Sequence, residues 1–223
     1  MKILSAIIFF IALYACSAVD RDVNIDTDIY QGYRFEYNEA TNETIVSAVF
    51  KAGSEDGEVI RLSSPAVFTV NDEFCNFQDS AEYPYMLSYA SRLPEAVLDL
   101  VDFRRQEYIN RIELDSLIPV KDFHAVIDSA SHELKVSFSG NKLCKGEELR
   151  LLVSAGDEEV SYIVSGLTDN VLLIGKEILN DFAGRTVRMR LCRIRNAELN
   201  NASPAGGSVR FVYSSKIKEV VIP

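Results

Sequence analysis

The sequence predicts an all-β protein, two tandem antiparallel β-sandwich domains that follow a signal peptide. Three observations carry this. Apolar residues recur at every second position over most of the chain, the period of half-buried strands. Polar turns with glycine or proline, such as "AGSEDGE" and "LSSPA", separate those stretches. The chain also begins with a basic residue and a predominantly apolar run, residues 3–15, that ends on Cys16.

That run of thirteen residues is too short for a membrane-spanning helix, which needs about 20 apolar residues to cross about 30 Å of hydrocarbon. A secretory signal peptide needs a basic start, an apolar stretch of roughly 7–15 residues and a small residue at the cut. Lys2, the run and Ala15 supply them. The residues "LYAC" resemble the lipobox of bacterial lipoproteins, with Leu13 three places before the cysteine and Ala15 beside it. The resemblance implies a signal peptide over 1–15, cleavage before Cys16 and lipidation of its thiol. Each buried methylene contributes about 0.8 kcal/mol, so two or three chains anchor firmly. The membrane is then a partner through lipid on Cys16. Ser17 resembles the pattern released to the outer membrane, so the expected place is the bacterial outer membrane, on its periplasmic or surface face. The alternative is a plain secreted chain, in which "NET" at Asn42 and "NAS" at Asn201 are glycan acceptors.

Residues 16–26 read as an acidic tether. "DRDVNIDTD" places Asp20, Asp22, Asn24, Asp26 and Asp28 at alternate positions. A calcium loop of the EF-hand type needs glycine at its sixth place and glutamate at its twelfth, where Ile25 and Gln31 stand. The chain carries a net charge of −10, and loss of Lys2 with the signal makes it more acidic still. That excludes nucleic-acid binding through the overall field. With 48% apolar residues there is material for real cores.

The N-terminal sandwich is expected over 27–119. "TIVSAVFKAG" alternates Val46, Ala48 and Phe50; "AVFTVND" alternates Ala66, Phe68 and Val70; "PYMLSYA" alternates Tyr85, Leu87 and Tyr89. The segment "LPEAVLDLVDFRRQEYINRIELDSL" fits an amphipathic helix or a hairpin of residues 96–102 and 107–114 turning at "FRRQ", and the all-β surroundings favour the hairpin. Pro119 interrupts the pattern. The C-terminal sandwich, 120–223, follows with Leu134, Val136 and Phe138; Leu149, Leu151 and Val153; Val160, Tyr162 and Val164; Val187, Met189 and Leu191; and Val209, Phe211 and Tyr213.

The succession "LKVSFSGN", "GEELRLLVS", "NVLLIGKEIL", "RLCRIRNAEL" and "ASPAGGSVRFVYSS" resembles the C-terminal immunoglobulin-like domain of uncharacterised two-domain lipoproteins of the Bacteroidota, and "SAVFKAGSEDGEVIRLSSPAVFTVND" is similar to their N-terminal domain. The resemblance implies two tandem immunoglobulin-like domains and an envelope location. It implies no activity.

Residues with chemistry are few. His124 and His132 sit together near the start of the second half, away from any Gly-x-Ser-x-Gly elbow. Ser139 and Lys142 form an isolated Ser-x-x-Lys without its companion motifs. No metal-ligand spacing and no cofactor motif stands out. If Cys16 is lipidated, three cysteines remain; Cys144 and Cys192 are a candidate disulfide and Cys75 reads as a small buried residue. "GRTVRMRLCRIRN" holds Arg185, Arg188, Arg190, Arg193 and Arg195. Alternation puts Arg188 and Arg190 on the outward face of one strand, either paired with neighbouring carboxylates or available as an anion-binding face. Tyr83, Tyr85 and Tyr89 either line a sugar-stacking row or enter the core. The expected function is a binding or structural accessory module without enzymatic activity, its partner a glycan or protein; the competing class is a hydrolase using carboxylates.

Overall fold

A computed structural model describes residues 26–79, 81–114, 121–127, 133–139, 143, 146–164, 171–175 and 179–223. The expected signal peptide over 1–15, Cys16, most of the expected tether, Pro119, His132, Lys142 and Cys144 lie outside them. The protein is all-β: sixteen strands and a 3₁₀ turn at Asn180–Phe182 among the described residues.

The first half contributes β1 (Ile29–Asn38), β2 (Glu43–Ala52), β3 (Val67–Val70), β4 (Glu73–Phe74), β5 (Asn76–Phe77), β6 (Tyr85–Tyr89), β7 (Glu95–Val101) and β8 (Glu107–Glu113). The second contributes β9 (Lys121–Ile127), β10 (Leu134–Ser139), β11 (Glu147–Ala155), β12 (Glu158–Val164), β13 (Val171–Ile174), β14 (Thr186–Glu198), β15 (Gly207–Ser214) and β16 (Lys218–Val221). They form three sheets. The long one has nine strands in the order β12-β11-β14-β15-β1-β2-β6-β5, with β16 on the far part of β14; the short ones are β4-β3-β7-β8 and β13-β10-β9.

The expected alternation appears in side-chain burial. Val46, Ala48 and Phe50 are fully buried, as are Ala96, Leu98 and Leu100, while Val97, Asp99 and Val101 between the latter are half exposed. A period of two cannot be satisfied by a helix, so "PEAVLDLVDFRRQEYI" is the hairpin of β7 and β8. Asp102 closes its turn, its Oδ1 accepting N–H donors from Arg104 and Gln106 at 2.8 Å each. Val160 departs from expectation: its strand β12 is the sheet's outer edge, and the side chain stays 37% exposed.

The two short sheets supply the second layer. Phe68 of β3 stacks on Tyr33 of β1 at 5.5 Å between ring centroids and meets Phe50 of β2 edge-on at 5.2 Å. Leu134, Val136 and Phe138 of β10 belong to the same buried cluster as Leu149, Leu151 and Val153 of β11 and Met189 and Leu191 of β14. Each such side chain contributes about 1.5–3 kcal/mol through removal from water.

One strand joins the halves. β1 pairs with β2 antiparallel and with β15 parallel, matching Tyr33 to Val209, Phe35 to Phe211 and Tyr37 to Tyr213. The Phe35 and Phe211 rings lie 5.8 Å apart. Gly32 permits the tight approach of β2, since a Cβ there would fall 2.7 Å from Val49 Cγ1. The 199–206 connection also reaches into the first half: Ser203 Oγ donates to Ile29 O at 2.6 Å, Asn110 Nδ2 donates to Asn201 O at 2.7 Å, and Asn201 N–H donates back to Asn110 Oδ1 at 3.0 Å. Strands from both sides of residue 119 therefore share one sheet. β1 itself, "IYQGYRFEYN", escapes the sequence reading even though Tyr33, Phe35 and Tyr37 alternate in it.

Candidate anion-binding site

β14 is thirteen residues long and central to the long sheet, so alternate side chains divide between two very different surroundings. Val187, Met189 and Leu191 point inward and are fully buried. Arg188 and Arg190 point outward, the first exposed and the second half-buried. Beyond Cys192 the inward positions fall to Arg193 and Arg195.

The five arginines of this stretch have different fates. Arg185 pairs with Glu158 and donates from Nη2 to Ala155 O at 2.7 Å. Arg193 pairs with Glu147 inside the protein, the two side chains being 4% and 3% exposed. Arg195 holds its guanidinium 4.8 Å from the centroid of the Phe211 ring. Arg188 and Arg190 have no carboxylate within 4.0 Å among the described residues. Glu219 of β16 stands opposite Arg188 in the strand register without joining it.

Arg188 and Arg190 line a groove with Leu152, Ser154, Glu159, Met189 and Ile217, of about 190 Å³. Small-molecule pockets usually enclose 300–1,000 Å³, so the groove accommodates one anionic group rather than a whole ligand. Guanidinium forks suit carboxylate, sulfate or phosphate oxygens, while the Ser154 hydroxyl donates to Arg188 O at 3.5 Å. Glu159 opposes anions and disfavours a densely charged one.

The other residues singled out in the sequence are placed as follows. Tyr85 is buried and its hydroxyl accepts the Leu62 N–H at 2.6 Å. Tyr89 is half-buried against the core, and Tyr83 lies half-buried with the Arg34 guanidinium 6.0 Å from its ring centroid. The three do not form one exposed row. His124 is exposed on β9. Cys192 is a free thiol facing outward, 3.4 Å from Ser214 Oγ, and burial raises its pKa; its candidate disulfide partner Cys144 falls outside the described residues. Cys75 is free and half-buried, and burial, aided by Glu73, pushes its thiol up to about 12. Among the described residues no three His, Cys, Asp or Glu side chains gather in a way that could hold a metal ion, and no helix is long and apolar enough to cross a membrane. Asn201 Nδ2 donates to Ile109 O at 3.3 Å.

The sequence reading missed Arg34 of β1 and Arg210 of β15. They stand side by side in the parallel register on the same outward face as Arg188 and Arg190. Arg34 pairs with Glu36 at 2.8 Å, whereas Arg210 has no carboxylate within 4.0 Å among the described residues. The alternations "GYRFEYN" and "SVRFVYS" contained the signal. The chain matches no protein-family model, and no curated protein is significantly similar to it.

Proposed function

We propose that the protein is a lipid-anchored binding module of the bacterial cell envelope, built on two immunoglobulin-like sandwiches that share the long sheet and presenting the Arg188/Arg190 groove to an anionic group. One observation carries the binding half of this reading. Among the described residues, two neighbouring guanidinium groups lack carboxylate partners, in a protein whose acidic residues outnumber its basic ones by 33 to 23. A structural role for these arginines would be expressed as pairing, as it is at Arg185 and Arg193. The anchoring half is supported by the short apolar run ending in "LYAC". Binding rather than turnover is supported by the chemistry of the groove's described lining: two cations, a hydroxyl and a carboxylate.

The test has two arms. Cells expressing the full chain are labelled with a fatty acid; the wild type takes up label and Cys16→Ala does not. Label persisting in that variant sinks the anchoring half. Arg188→Ser with Arg190→Ser should weaken capture of a uronic-acid disaccharide without unfolding the protein, and unchanged capture removes the groove from consideration. Turnover of a peptide, ester, phosphate or glycoside substrate by the purified protein would restore the hydrolase class.

A further inference from the structure

Two arginine clusters occupy the same outward face of the long sheet. The first is Arg188 and Arg190 on β14. The second is Arg34 and Arg210, adjacent across β1 and β15, with the Tyr83 ring against Arg34. The pairing of Arg210 with Asn196 places it six positions along β14 from Arg190, which at about 3.3 Å per residue separates the clusters by about 20 Å. Like charges directly opposite each other on neighbouring strands destabilise a sheet. The Arg34 and Arg210 pair is nevertheless kept with one ion pair, Arg34 to Glu36. The Arg34 Nε is moreover shielded from water without a hydrogen-bond acceptor.

Between the clusters the face is neutral. Ile194 and Val212, 5% and 6% exposed, stand side by side there, flanked in register by Glu148 and Glu36. Those two carboxylates are occupied by Arg150, at 2.6 Å, and Arg34, at 2.8 Å. The pattern is thus two open cations, a neutral sill, and a second cluster in which Arg210 is open and Arg34 shares its charge with Glu36.

Resting on the proposed binding reading and extending it, we infer that this face binds a linear acidic polysaccharide laid across β11, β14, β15 and β1, which meets the Arg188/Arg190 groove and the Arg34/Arg210 cluster with two separate acidic groups. The spacing argues for a sparsely charged chain. Duplex DNA carries one charge per about 1.7 Å, a density that two cation pairs some 20 Å apart do not match. Sugar rings find an aromatic face at the half-buried Tyr83 and an amide partner at the exposed Asn196, on an outward position of β14. Two linked sites also raise avidity without new contacts, because the second binding event becomes intramolecular.

The experiment uses the full chain in detergent micelles, with digalacturonate, long polygalacturonate, neutral dextran and anionic phospholipid vesicles as probes, and thermal unfolding as the folding control. Polygalacturonate should bind more tightly than digalacturonate, and dextran should not bind. Arg34→Ser with Arg210→Ser should weaken polygalacturonate binding about tenfold, the loss of one charge-assisted contact region, while leaving digalacturonate binding intact. Arg188→Ser with Arg190→Ser should weaken both. If the Arg34 and Arg210 substitutions leave polygalacturonate affinity unchanged while the Arg188 and Arg190 substitutions lower it, the extended site falls and the single groove stands. Equal affinity for dextran, or binding to vesicles in place of polygalacturonate, overturns the polysaccharide. Binding of none of these probes overturns both readings.

Discussion

On its inner face the middle of the long sheet holds Arg193 and Arg195, and on its outer face, one residue out of phase, Arg188, Arg190 and Arg210. Inside, a guanidinium is matched to Glu147 or laid on the Phe211 ring. Outside, Arg188, Arg190 and Arg210 have no carboxylate within 4.0 Å among the described residues. The difference teaches that arginine content says little until the face is known. A buried cation must be paired or its desolvation is uncompensated, whereas an exposed one costs little when left open. Open cations on a sheet face are therefore free to serve binding.

The strongest way to break this contrast is to cut the sheet that carries both faces. Residues 27–119 and 120–223 produced separately each lose one side of the β1/β15 ladder and with it the Phe35/Phe211 contact. Neither piece alone is expected to unfold cooperatively, while a mixture of the two regains a cooperative transition followed by circular dichroism. A sharp, independent transition in each piece would show that the shared sheet is dispensable.

Inside the sheet, Glu147→Ala strands Arg193 without its carboxylate and should destabilise by about 3–5 kcal/mol in denaturant titration. Replacing both by apolar residues should recover most of that loss, which separates an unpaired charge from a packing defect.

Tyr213→Phe tests the inner edge, where the hydroxyl donates to Glu39 at 2.5 Å. Removing a hydrogen bond to a charged acceptor should cost about 1.5–3 kcal/mol. Burial, reinforced by Glu39, raises the pKa of Tyr213 above its ordinary value. A raised folded-state pKa contributes stability that is fully present below the unfolded value of about 10 and is lost as pH rises beyond it. The wild type should therefore weaken above about pH 10, and the variant less steeply. A parallel decline in both proteins would remove Tyr213 as the source.

Outside the sheet, Arg188→Ser with Arg190→Ser should change stability by no more than about 0.5 kcal/mol. A larger loss would mean that these arginines hold the fold together after all. The smallest effect concerns Cys75: its raised pKa predicts slow reaction with a thiol reagent at pH 8, quickening only as pH approaches about 12.

Strand identity was legible in the sequence because burial on one face repeats every second residue, as at Ala96, Leu98 and Leu100. Register between halves was not, because nothing local in "GYRFEYN" records that its partner is "SVRFVYS". The outward direction of Arg188 and Arg190 followed from alternation alone. Their lack of partners did not, since it depends on Glu147 and Glu158 being drawn to Arg193 and Arg185 by the path of β11 and β12. Arg34 and Arg210 were hidden for the same reason. Each looks ordinary in its own strand, and only the parallel pairing puts them together.

The parallel ladder between β1 and β15 also sets a clock. Glu39, at the end of β1, meets Tyr213 across a separation of 174 residues. At synthesis rates of about 5–20 residues per second, the first strand waits on the order of ten seconds or more before its partner exists. Contacts this remote in sequence also slow folding once the chain is complete. Capture by β2 covers only the opposite edge of β1, so until β15 exists the waiting edge is open to any passing strand and the nascent chain needs a chaperone to keep it covered.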